Sequence, residues 1–371
     1  MLSSKRPPES LHLSQEKAVA QLRSDAVSLR PVAIDTLTSI LHMSNVPLSS
    51  LDLAITFIRE HASVVLHFHP DRPVGPRTVA EGLLEDGIYK SQFETGISNG
   101  SVSAHPGGAR AEWERSLFNG AYNDVQPLHR PKYGALDLMR NSDGPAPRFG
   151  SCFFVLKPEV STRSTFTFGG SQADPKYRST IDELHAILAA TFAECFTHDS
   201  ALGVRDIRPS QLMERILAIR TPSQHRDSPS RNLDHFVEAQ VHGDVKLDRD
   251  VLELVADPSF QKCEIGRDLE AMSVRYKFPL RWHKGFIMQA TNVPRDFRGP
   301  SMPSLALRVA REGVVDAKAI GAAVRQLSRA PNAWKEWGTH AEVLQELKLL
   351  WHVLVRFGES DSQRDGCSPY W

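Results

Sequence analysis

Apolar and polar positions repeat in different ways along the chain, and each pattern predicts its own kind of element. Across residues 14–60, Ala18, Leu22, Ala26 and Leu29, then Ile34, Leu37, Ile40 and Leu41, recur mostly three or four apart, the period of an amphipathic helix. Pro31 and Pro47 predict breaks, which gives two or three helices. The C-terminal zone has the same period: residues 306–311, 316–329 and 340–357 read as helices, separated by Gly313 and by Ala330, Pro331 and Asn332. Leu344, Leu347, Leu350, Trp351 and Leu354 form the apolar stripe of the last one.

The middle zone, residues 61–297, is richer in glycine, proline and short β-like runs. Residues 63–69 read as a buried strand ended by Pro70. Residues 78–88 read as a short helix with Val79, Leu83 and Leu84 on one face and Gly87 beyond its end. A second strand is predicted at 151–157. A third, at 163–168, alternates Thr165 and Thr167 with Phe166 and Phe168, which suits a sheet with one face on a core and the other lining a cleft. Residues 234–241 give a fourth, after one or two helices across 180–196 and 209–219. The polar segments 96–108 and 174–179 read as loops, and long loops inside a compact domain are more often functional than idle. Residues 221–232, rich in serine and arginine, read as partly disordered. The expected architecture is therefore α+β: a helical N-terminal segment (1–60), an α+β candidate catalytic domain with a central mixed or antiparallel sheet (61–297), and a helical C-terminal cap (298–371).

Composition narrows the function classes. Hydrophobic residues make up 41% of the 371 and charged residues 24%, ordinary values for a folded chain. Lys plus Arg and Asp plus Glu both total 44, so no global charge draws the protein to nucleic acid or anionic lipid, and any contact with a polyanion must come from a local patch. Cys152, Cys195, Cys263 and Cys367 form no CxxC pair, which argues against a zinc ribbon, a thioredoxin-like motif and a disulfide framework, and fits a reducing compartment. Lys5 and Arg6 are followed by Pro7 and Pro8 rather than an apolar stretch, so no Sec signal is visible, and no apolar run reaches the roughly 18 residues of a membrane span. Cytoplasmic residence, or export without a Sec signal, is expected.

Two polar clusters carry candidate chemistry. In the first, alternation puts His67 and His69 on one face at the end of the first strand, followed by Asp71 and Arg72. Two imidazoles there can meet a ligand, pack as a half-polar layer, or begin a metal site with Asp71. The metal reading needs further ligands, for which His105, His235 and His242 are available. In the second, Glu238, Gln240 and His242 project from one side of a short β run, which suggests a bound polar ligand or an exposed strand face. Residues 130–136 and 147–151 add cations and rings beside glycines, among them Arg130, Tyr133, Arg148 and Phe149. Such groups can flank a phosphate and stack on a heterocycle, or simply make turns.

The order of these clusters, Arg72 after the first strand, Ser164 to Thr167 on a middle strand and Glu238, Ala239 and Gln240 on a late one, resembles the Arg, Ser-Thr-Ser, Glu-x-Glu succession of the ADP-ribosyltransferase superfamily. Residues 81–89 are similar to the helix that follows the first strand in many of its members. Residues 89–100 and 238–243 more closely resemble a bacterial family of unknown function, a likeness that covers most of the chain and implies no activity. The transferase resemblance implies NAD as co-substrate, a macromolecular or small-molecule acceptor, and an ADP-ribosyltransferase-like sheet. It implies Glu238 as the carboxylate facing the nicotinamide ribose, Arg72 or His67 as cofactor anchor, and Ser164 and Thr165 as supports, with His69 and Tyr133 also cofactor-binding. Gln240 stands where the usual catalytic glutamate of Glu-x-Glu would be. The alternatives from other classes are a metal-dependent hydrolase or nuclease centred on His67, His69 and Asp71, and a non-catalytic binding module.

Overall fold

Helix α1 (Leu13–Met43) runs 31 residues straight through Pro31, so that proline does not separate two helices. An interior proline leaves the carbonyl four residues earlier without its donor and normally costs about 3 kcal/mol. Here that residue is Val27, which is exposed, while Ala18, Leu22, Ala26, Ala33, Leu37 and Leu41 keep one buried stripe on both sides of the proline. Ile34 falls on the exposed side. Pro47 does mark a break, before α2 (Ser49–His61). The computed structural model describes residues 10–96, 104–220 and 228–360. The loop expected at 96–108 and the Ser/Arg-rich stretch at 221–232 lie largely outside the described residues, as does Cys367.

The centre is an eight-stranded sheet of β1 (Ser63–Phe68), β2 (Lys132–Asp137), β3 (Cys152–Leu156), β4 (Ser164–Phe168), β5 (Arg178–Thr180), β6 (Val237–Val241), β7 (Val251–Ala256) and β8 (Leu280–Trp282). Their spatial order is β8-β7-β3-β1-β2-β6-β4-β5. Only the β7–β8 pair is parallel, so the fold is α+β with a mixed sheet. The strands expected at 63–69, 151–157, 163–168 and 234–241 are β1, β3, β4 and β6. Strands β2, β7 and β8 did not stand out in the pattern, and β5 takes the end of the 174–179 segment expected as a loop and the start of the 180–196 stretch expected as helical. β2 contains Gly134, which breaks the β-like run but is needed: a Cβ there would come within 2.4 Å of the Val65 carbonyl oxygen on the neighbouring strand.

Register divides the sheet into two chemically different faces. One carries Val64, Leu66 and Phe68, Leu136, Phe154 and Leu156, Phe166, Val237, Ala239 and Val241, all in the main apolar core. That core also takes residues from α1, α2, α5 (His185–His198), α6 (Pro209–Leu217), α7 (Glu264–Tyr276) and α8 (Met302–Val309), and it continues into α9 (Ala317–Arg329) and α10 (His340–Phe357). The other face places Val65 opposite Ala135, Ala135 opposite Glu238, and Glu238 opposite Thr167. In the next row Tyr133 faces Gln240, and Gln240 faces Thr165. Around β6 this face is therefore polar where the first is apolar, while toward β3 and β7 it carries a small apolar cluster of Val65, Phe153, Val155 and Val255.

Three further elements frame it. α3 (Val79–Asp86) follows β1, with Thr78 and Glu81 closing a reciprocal capping box and Gly87 ending the helix at φ 66. α4 (Ala109–Leu117) precedes β2. α10 packs on the 147–149 turn, to which the Trp351 indole donates at 2.9 Å through the Pro147 carbonyl.

Candidate functional site

Glu238 sits at the middle of the polar face and is 6% exposed. Its Oε1 accepts the Ser171 backbone N–H at 3.1 Å and the Gln240 amide at 3.0 Å. Behind Gln240 runs a chain of buried donors that all point the same way. Tyr122 O–H lies 2.5 Å from His242 Nδ1, His242 Nε2 lies 3.0 Å from Thr165 Oγ1, and Thr165 donates to Gln240 Oε1 at 2.8 Å. Because the Thr165 proton is used toward Gln240, Thr165 must accept from His242 Nε2–H, and His242 Nδ1 must then accept from Tyr122. Burial, followed by Arg163 and Lys132, drives the His242 pKa down to about 3, which keeps the neutral ring this chain requires. The last donor in the chain faces the Glu238 carboxylate and favours its charged form. Burial acts in the opposite direction and is the larger effect, so the Glu238 carboxyl titrates above its ordinary value.

A cavity of about 510 Å³ opens on this face, within the size range of small-molecule sites. Glu238, Tyr133, His67, His69 and Arg72 all line it. The two segments singled out from the sequence, around residues 72 and 239, therefore meet across one pocket. Among the charged side chains of the wall, cations outnumber acids. Arg72 Nη1, Arg110 Nε and Arg148 Nε are buried with no hydrogen-bond partner among the described residues, and so is the acceptor Gln92 Oε1. Burial works against the Arg72 charge, and the neighbouring Asp71 is the charge that offsets it. Arg110 stacks its guanidinium 4.5 Å over the Tyr133 ring, while the Tyr133 hydroxyl donates to Glu114 at 3.0 Å and Glu114 pairs with Arg130 at 2.5 Å. Unpartnered buried guanidinium nitrogens in a cavity are unfavourable until an anion supplies acceptors.

The remaining sequence candidates lie elsewhere. Ser164 points to the other face and bonds the Val160 carbonyl at 2.9 Å. Thr165 and Gln240 are fully buried behind Glu238 and act on it rather than on the cavity. His67 has both ring nitrogens engaged by backbone: Nδ1 lies 3.2 Å from the Gly150 carbonyl oxygen, and Nε2 takes the Ala146 N–H at 3.3 Å. Burial lowers its pKa to about 3. His69 stands edge-on to Trp351 at 5.1 Å and is likewise held neutral by burial, with Arg72, His67 and His352 adding to the effect. Asp71 pairs with Arg325 at 2.8 Å, away from both histidines. His235 bonds Glu194, His105 is exposed, and His242 belongs to the chain behind Glu238. Among the described residues no three His, Cys, Asp or Glu side chains come together as a metal-binding group. The donor set around His67, His69 and Asp71 does not fit a metal ion, since His67 has no free nitrogen and Asp71 is turned to Arg325.

Sequence reasoning missed Arg110 and Lys348 as cavity residues and did not foresee the part of Tyr122. For Lys348 a signal existed: it follows Leu344 by four positions and precedes Trp351 by three, which puts a lysine on the buried stripe of α10. Arg110 lies on a short, largely polar helix and gives no comparable cue.

Residues 63–357 match the family described as "Protein of unknown function (DUF3626)", and the chain belongs to that family. Among the curated proteins none matches. Among the described residues no helix is long and apolar enough to cross a membrane.

Proposed function

We propose that the protein is an NAD-using enzyme of the ADP-ribosyltransferase type, which moves ADP-ribose from NAD to an acceptor. One observation carries the reading: a buried carboxylate with a dedicated hydrogen-bond chain, Glu238, shares a cavity of about 510 Å³ with Arg72 and Arg110, each of which keeps a buried guanidinium nitrogen without a partner among the described residues. A dinucleotide carries what such a wall lacks, acceptor oxygens for the arginines and a sugar for the acid.

In this reading Arg72 holds the pyrophosphate, and Gln92 Oε1 accepts from a hydroxyl or amino group of the nucleotide. Glu238 faces the nicotinamide ribose. As the bond from C1 of that ribose to nicotinamide breaks, its electron pair leaves with nicotinamide and positive charge grows on the sugar. A fixed carboxylate lowers that barrier. Glu238 supplies the negative charge, and the amide of Gln240 orients it. Gln240 thus positions the acid rather than replacing it, and Thr165 positions Gln240. Of the two candidate anchors, Arg72 has a free donor and His67 does not, so His67 shapes the wall beside Gly144. The ADP-ribosyltransferase-like character of the sheet belongs to the same proposal. It is supported by Thr165 and Glu238 lying on adjacent strands of one sheet, with Arg72 following β1, which β2 alone separates from the strand of Glu238.

The test is nicotinamide release from NAD, followed for the wild type and for Glu238→Ala. The proposal expects release by the wild type and its loss in the variant. Equal rates in the two proteins overturn it.

A further inference from the structure

The cavity has a second cationic pole, separate in its neighbours from Arg72. Lys348 lines the cavity from α10 and has no hydrogen-bond or ion-pair partner among the described residues. Arg148, from the 147–149 turn, gives Nη1 to the Leu233 carbonyl at 2.7 Å and to Asp234, and leaves Nε buried and unpartnered. Arg298 approaches the same Asp234 at 3.5 Å and also has a buried, unpartnered Nε. Arg110 completes the group. Asp234 is shared by two guanidinium groups and is half open to water, with its side chain 56% exposed, so it screens them poorly. The charges that act on Lys348 are Arg148, Arg298 and Arg110. Together with burial, the largest cause, they bring its ammonium down to about 8. The charge beside Arg72 is instead Asp71.

We infer that Lys348, Arg148 and Arg110 form a subsite for a phosphate monoester carried by the nucleotide in addition to its pyrophosphate. The charge count selects the ligand. Four cations gather there, Lys348, Arg148, Arg298 and Arg110. The carboxylates that answer them are Asp234, shared by Arg148 and Arg298, and Glu238, beside Arg110, since Glu114 is already paired with Arg130. The surplus of about two positive charges matches a dianion better than a singly charged diester. A compact tetrahedral group can accept from a lysine and two guanidinium groups at once. The inference rests on the dinucleotide reading above and narrows it: the favoured substrate is a nicotinamide dinucleotide with an extra monoester phosphate.

The experiment titrates the full chain with NAD, NADP and inorganic phosphate by calorimetry, for the wild type, Lys348→Met and Lys348→Gln, with circular dichroism to verify folding. The expected result is NADP binding at least about tenfold tighter than NAD in the wild type, with that ratio falling to about one in either variant. Tenfold is the size of effect one charge-assisted contact supplies. Equal affinity for NAD and NADP in the wild type overturns the subsite while leaving the dinucleotide reading intact. A preference that survives both substitutions overturns it as well. If neither dinucleotide binds, the dinucleotide reading fails, and the phosphate arm then decides the subsite alone. Phosphate binding by the wild type that is lost in both variants supports it, and no phosphate binding rejects it.

Discussion

Replacing Thr165 by valine keeps the shape of the side chain and removes one hydroxyl, which isolates the chain behind Glu238. That hydroxyl donates to Gln240 Oε1 at 2.8 Å and accepts from His242 Nε2 at 3.0 Å, and all three side chains are fully buried. The substitution leaves one acceptor and one donor without partners and without access to water. Each buried polar atom left unpaired costs about 1–3 kcal/mol, so the loss for two is about 2–6 kcal/mol, a large fraction of a stability of about 5–15 kcal/mol. Urea unfolding followed by tryptophan fluorescence measures it. Thr165→Ser is the control: it keeps both hydrogen bonds and loses a methyl, at a cost of about 1 kcal/mol. A double replacement with His242→Leu separates pairing from packing, because the Thr165→Val penalty shrinks once the His242 donor is gone. A valine variant within about 0.5 kcal/mol of wild type would refute the directional chain, and with it the claim that Gln240 is held in place to orient Glu238.

Other consequences are as direct. His67 and His242, both lowered to about 3 by burial, stay neutral in the folded protein while their unfolded counterparts protonate near 6.5. Below that pH the unfolded state binds the extra proton, so stability falls from about pH 6.5 toward 3, by up to about 1.4 kcal/mol per pH unit for each ring. Proton NMR tests this, and a midpoint near 6.5 for either ring contradicts it. The raised Glu238 pKa has the opposite sign: the protonated acid is the comfortable form, and its contribution to stability is lost as pH rises through the folded value. Glu238→Gln should therefore match or exceed wild-type thermal stability at pH 8, with the difference shrinking toward pH 5, and a large loss of melting temperature at pH 8 counts against the assigned environment. Gly82→Ala, where a new Cβ meets nothing within 4 Å inside α3, should stabilise by about 0.5–1 kcal/mol. Gly150→Ala, whose Cβ would lie 2.4 Å from the Phe68 backbone, should destabilise by about 1–3 kcal/mol, and thermal unfolding of the pair checks both signs.

Much of the framework was legible because local periodicity and burial agree. The Thr/Phe alternation of β4 predicts both faces of the sheet, with Phe166 in the core and Thr165 and Thr167 beside Glu238 and Gln240. Gly87 at the end of α3 read equally well. The failures have physical causes. Pro31 carries a strong local signal that tertiary packing overrides, because its freed carbonyl lies on an exposed stretch of α1. Gly134 hides a central strand, since close approach to β1 requires the residue that weakens the β pattern. Partner choice is what a sequence does not encode locally. His67 spends both nitrogens on backbone from residues 146 and 150, and Asp71 finds Arg325 some 254 positions away. The His-x-His-x-Asp spacing that suggested a metal site is set by chain order, and the fold sends its members to three different neighbours.

The central claim is that the polar face of the sheet holds a dinucleotide through Arg72, opposite Glu238. Calorimetric titration of NAD into the wild type and into Arg72→Met tests it most directly, because Arg72 donates no side-chain hydrogen bond within the described residues and its removal breaks no internal contact of that kind. The account predicts binding by the wild type and a loss of at least about tenfold in the variant, the equivalent of one charge-assisted phosphate contact. NAD affinity that is the same in both proteins, or absent from both, would contradict it.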